Sequence, residues 1–81
     1  MKATIVWLSE TVLLDRRPYL FCFGEKCMSG KITTIEPVDN SDEFVVWVDF
    51  IEPMYFEENI VRGNSFTVNE ASVVLANGKV L

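Results

Sequence analysis

Apolar residues recur at every second position through several short stretches of this chain, a period that predicts β-strands. In Lys2–Leu8, Ala3, Ile5 and Trp7 alternate with Thr4, Val6 and Leu8, and the trio without the threonine is expected inside. Tyr19–Phe23 reads as a short aromatic strand. Cys27–Ile35 reads as its hairpin partner across Gly24-Glu25-Lys26, because hairpin loops of this length commonly carry a glycine. Along that second arm, turning Met28 and Ile32 inward leaves Lys31 and Thr33 wet, and Gly30 marks a bulge or a close backbone approach.

The densest apolar block, Phe44 to Phe56, is expected to hold the central strand. Its alternation divides two faces: Phe44, Val46, Val48 and Phe50 toward a core, Trp47, Asp49 and Ile51 away from it. Pro53 stops regular pairing and makes Met54-Tyr55-Phe56 a corner. Further on, Arg62-Gly63-Asn64 is a turn, Ser65–Asn69 a strand with Phe66 and Val68 on one face, and Glu70-Ala71 another turn. Ser72–Leu75 follows as a strand, Asn77-Gly78 as a tight turn and Val80-Leu81 as a returning stub. No amphipathic helix, repeat or linker interrupts this series. The prediction is one all-β domain over residues 1–81, a small closed antiparallel barrel of six or seven short strands.

Composition narrows the function. The chain is 49% hydrophobic, enough for one modest core, and its formal charge of −5 opposes binding to phosphate backbones, so no nucleic-acid partner is expected. Asp49 and Glu52 interrupt even the most apolar block, so no membrane span is expected. Histidine, the commonest general base and metal ligand, is absent. Cys22 and Cys27 are five positions apart, outside the spacing of CxxC metal and redox motifs, and read as two separate thiols filling the core of a reduced, cytoplasmic protein.

Other polar clusters read as solvated surface. Arg16-Arg17 belongs to a charged turn ending at Pro18. The segment Glu36–Glu43 is rich in oxygen donors but lacks the spacing of a calcium loop, and is expected as a surface loop. Adjacent Glu57 and Glu58 point to opposite sides of an extended chain and do not form an acid–base pair. No GxxxxGK-type phosphate cradle occurs. Catalytic, cofactor-binding and metal-binding residues are therefore all expected to be none. What remains is the half-apolar, half-charged outer face of Trp47, Asp49 and Ile51, with Tyr55 nearby, which suits protein docking.

Ala3-Thr4-Ile5-Val6-Trp7-Leu8-Ser9, Tyr19-Leu20, Gly24, Ile32-Thr33-Thr34-Ile35, Pro53 after an apolar strand, Glu58-Asn59 and Gly63 to Val68 together resemble the C-terminal β-barrel domain of translation-factor GTPases. The pattern is similar to the third domain of elongation factor Tu and, more closely, to that of the GTPase-type large subunit of bacterial sulfate adenylyltransferase. The resemblance implies a Greek-key-type barrel without a catalytic site of its own, part of a nucleotidyltransferase with a GTPase subunit in sulfate activation. It implies packing on a GTPase domain, which holds the GTP and is contacted through Trp47, Asp49, Ile51 and Tyr55, beside a partner catalytic subunit. The reading set against it is a free-standing small barrel that binds a protein surface as an adaptor or inhibitor.

Overall fold

The structure, a computed structural model, describes residues 1–81. Six strands form it: β1 (Lys2–Trp7), β2 (Pro18–Phe23), β3 (Lys26–Pro37), β4 (Glu43–Phe50), β5 (Ser65–Glu70) and β6 (Val73–Val80), with one 3-10 turn at Pro53–Phe56. They close into an antiparallel barrel in the order β1-β4-β3-β2-β5-β6. Consecutive strands β2, β3 and β4 lie side by side and β1 returns beside β4, which is a Greek-key arrangement. Closure pairs every backbone edge, so no strand is left open to recruit another chain.

Two of the turns are tight, two-residue hairpins. Gly24 has φ +61 and sits first in the two-residue turn between Phe23 and Lys26, as a type II′ hairpin requires. The β5–β6 turn also begins with a left-handed residue, but there it is Ala71 at φ 53, whose Cβ makes that conformation costly. Two longer connections, 8–17 between β1 and β2 and 51–64 between β4 and β5, cross opposite ends of the barrel.

The expected inward faces are the observed ones on most strands. Ala3 and Ile5, Val46 and Val48, Phe66 and Val68 are buried in one core with Tyr19, Phe21, Phe23 and Ile32, while Trp7, Phe44 and Phe50 are partly buried against it. Five phenylalanines gather at one end: Phe23–Phe56 and Phe50–Phe56 ring centroids are 4.9 and 5.0 Å apart, and Phe21 meets Phe50 at 5.4 Å. Phe66 completes the group at 5.5 Å from Phe23. Such edge and tilted pairs add to the burial of the rings themselves.

Several expectations need correction. The segment Glu36–Glu43 is not all loop: β3 continues through Pro37, Glu36 pairs with Val45, and only residues 38–42 turn the chain, closed by Val38 N–H donating to the Glu43 carbonyl (3.0 Å). The bulge on β3 falls at Thr33, whose hydroxyl donates to the Trp47 carbonyl (3.3 Å), and not at Gly30. Gly30 is instead the site of close approach, since a Cβ there would lie 2.8 Å from Phe50. Asn77-Gly78 is not a turn but lies within β6, where Gly78 pairs with both Ile5 and Phe66. A Cβ at Gly78 would stand 2.3 Å from the Phe66 ring, so this glycine makes room for an aromatic side chain. Cys22 and Cys27, expected as separate thiols in the core, are joined by a disulfide on the barrel's outer wall, because the β2–β3 register sets them directly opposite each other.

Candidate functional site

The outward face of β4 is built by period 2: Trp47, Asp49 and Ile51 point away from Val46, Val48 and Phe50. Trp47 is half-buried, Asp49 is exposed, and Ile51, just past the strand end, is 75% exposed, unusually open for an isoleucine. Tyr55 projects from the 3-10 turn, 45% exposed, its ring 5.5 Å from that of Phe56.

These four residues form a strip along β3. Trp47 pairs with Thr34 and Asp49 with Lys31; Ile51 N–H donates to the Ser29 carbonyl (3.4 Å), and Tyr55 lies beneath Lys26. From Lys26 to Thr34 the strip runs for about 26 Å at the usual rise per residue. Trp47, Asp49 and Ile51 share one line, whereas Tyr55 sits at its far end and no contact joins it to Trp47.

Lysines accompany the strip, and these the sequence did not single out. Lys2 Nζ stands 5.0 Å over the Trp47 ring, Lys26 Nζ 4.5 Å over the Tyr55 ring, and Lys31 lies opposite Asp49. A cation over an exposed aromatic face contributes about 0.5–1 kcal/mol. The signal was available in the register alone, since Lys2 is directly opposite Trp47 across β1–β4. In the middle of the strip a cleft of about 260 Å³ opens between Arg16, Lys31, Asp49 and Ile51. That volume is smaller than sites for small organic ligands, which begin near ~300 Å³, and suits a single protruding side chain.

On the opposite side of the barrel a wider groove of about 550 Å³ crosses β1, β6, β5 and β2. Its lining is a register grid of outward residues: Val6, Asn77, Thr67 and Cys22 are neighbours on successive strands, as are Thr4, Lys79 and Ser65. Glu43, opposite Val6, closes one end.

The remaining polar contacts are structural. Arg17 and Glu70 form an ion pair between the β1–β2 connection and the end of β5, and the Glu70 carboxylate holds the guanidinium protonated even beyond its ordinary range. No group of three or more Cys, Asp or Glu converges on a point where a metal ion could sit. No helix is long and apolar enough to cross a membrane. The chain matches no family model, no curated protein and no solved structure.

Proposed function

We propose that this barrel is a docking module that binds an acidic protein surface through the strip of Trp47, Asp49, Ile51 and Tyr55. The observation that carries the reading is the placement of charge. In a chain of net charge −5 with seven cations, four of them, Lys2, Arg16, Lys26 and Lys31, lie along this strip beside its exposed apolar groups. Aromatic and aliphatic anchors ringed by cations match an acidic partner, and the cleft beside Ile51 accepts one of its side chains. The filled interior supports binding at the outer wall over a ligand inside the barrel.

The resemblance to the third domain of elongation-factor-Tu-like GTPases supplies the first partner to try, a GTPase domain of the sulfate-activating kind, with the barrel helping to transmit its nucleotide state. On this reading the barrel itself holds neither GTP nor a catalytic residue, and it is the resemblance, not the disulfide-bonded cysteines, that implies work in the cytoplasm beside the catalytic subunit. Titration of the chain against such a GTPase domain by calorimetry tests it. Trp47→Ala is expected to weaken binding by at least about 30-fold, as loss of a central aromatic anchor does, with a smaller loss for Tyr55→Ala at the strip's end. Lys31→Glu is expected to slow association and to reduce its salt dependence. Absence of binding, or binding indifferent to all three changes, overturns the proposal.

A further inference from the structure

The 550 Å³ groove ends at a disulfide, and the two features fit one chemistry. Cys22 lines the groove, whereas Cys27 does not. The S–S bond runs across the strands from β2 to β3, and on its other side Cys22 is paired with Thr67 of β5. Past Cys22, the direction across the strands leads over Thr67, which also lines the groove. Thiol–disulfide exchange needs a thiolate to approach a sulfur along the line of the S–S bond, opposite the leaving sulfur. Cys22 is only 5% exposed, and it is the groove that it borders. Cys27 is half-buried and outside the groove, so the sulfur that leaves reaches water.

The groove is also equipped to hold the attacking molecule. Its volume lies within the range of small-ligand sites. Lys79 offers a cation for a carboxylate, Glu43 an anion for an ammonium group, and Thr4, Ser65, Thr67 and Asn77 offer hydroxyl and amide groups between them. Beside the disulfide, Asn69 Nδ2 lies 3.8 Å from Cys22 Sγ while its buried Oδ1 has no partner. That amide N–H is placed to donate to a Cys22 thiolate as it leaves in the second exchange, which favours the opened state.

We propose that the groove binds a small zwitterionic thiol, of the amino-acid or short-peptide class, and delivers its sulfur to Cys22. The thiolate attacks Cys22 Sγ, a new disulfide forms between the two, the Cys22–Cys27 bond breaks, and its electron pair leaves on Cys27 Sγ, which takes a proton from water. A second thiolate attacking the mixed disulfide releases the oxidised thiol dimer and leaves both cysteines reduced, two electrons having passed from two thiols to the protein.

The test uses the whole oxidised chain under native conditions with two probes, glutathione, which is zwitterionic, and 2-mercaptoethanol, which is neutral. Acid quenching followed by proteolysis and mass spectrometry locates the mixed disulfide, expected on Cys22 with glutathione. The rate ratio of glutathione to 2-mercaptoethanol is expected to fall about fivefold or more in Lys79→Gln, a surface change whose folding is checked by circular dichroism. Cys22→Ser and Cys27→Ser, each with one thiol left, are then compared for exchange with oxidised glutathione; the chain retaining Cys22 is expected to react faster. Mixed disulfide on Cys27, a disulfide that opens only when the protein unfolds, or a rate ratio unmoved by Lys79→Gln overturns the proposal.

Discussion

The two ends of the barrel are closed by connections of similar purpose and different chemistry. At one end, the 51–64 connection drops Phe56 into the opening, where it is fully buried among Phe23 and Phe50. At the other, the 8–17 connection rests only Leu13 partly against the core; backbone bonds tie its ends, Leu8 N–H to the Leu75 carbonyl (2.8 Å) and Arg16 N–H to the Ile32 carbonyl (2.7 Å), and the polar tips of two rings hold its middle: Trp7 Nε1–H donates to the Thr11 carbonyl (2.7 Å), and Leu14 N–H donates to Tyr19 Oη (3.1 Å). Those two rings meet edge-on at 5.9 Å. The first end is a plug and draws on apolar burial, which is non-directional and large. The second is a latch, in which each ring contributes one directed bond and the chain passing over it stays open to solvent, with Val12 74% exposed. A barrel this small uses one strong closure and one adjustable one.

Phe56→Ala removes the plug. Removing a fully buried ring is expected to destabilise the fold by about 3–5 kcal/mol, a large part of the stability of a domain this size, and urea unfolding followed by tryptophan fluorescence reads it. A loss below about 1 kcal/mol would mean that the plug is not part of the core. At the latched end, Tyr19→Phe keeps the ring and deletes the acceptor for Leu14 N–H. The expected loss is about 1 kcal/mol, with faster amide exchange at Leu14 and little change at Phe56. Also at the latched end, Ala71→Gly relieves the left-handed residue in the β5–β6 turn and is expected to stabilise by about 0.5–1 kcal/mol, raising the thermal midpoint by a few degrees. A lowered midpoint there would show that the Ala71 methyl is making a contact worth more than its backbone cost.

The wall of the barrel was far more legible in the sequence than its ends or its chemistry. Period-2 alternation placed Ala3, Ile5, Val46, Val48, Phe66 and Val68 inside, and Trp47, Asp49 and Ile51 outside, because a strand with one buried face leaves no other choice. Asn77-Gly78 misled because the pair is a strong turn signal in isolation, while the need for that glycine comes from Phe66 on another strand. Phe56 looked like the tail of a corner, since its burial depends on rings more than thirty positions away in Phe23 and six away in Phe50. The disulfide was invisible in the spacing of Cys22 and Cys27; a two-residue hairpin turn, not a motif, brings them opposite each other. For the docking strip, the outward residues were readable, but the lysines over Trp47 and Tyr55 required knowing which strands are neighbours.

The seams between strands are unequal, and this sets an order of events. β3 and β4 share seven paired positions, whereas β2 and β5 share only three, Leu20, Phe21 and Cys22 with Asn69, Val68 and Thr67. Joining β2 to β5 also closes a loop of nearly fifty residues, while β3 and β4 are separated by a short turn. β1 and β6 join residues still further apart in the chain, from Ala3 with Val80 to Trp7 with Ala76, so these two long-range seams are expected to form after β3–β4, and faster amide exchange across β2–β5 than across β1–β6 would mark the shorter seam as the weaker. A cylinder rolled from one ribbon needs a weld, and this one is narrowest where β2 meets β5, three positions wide.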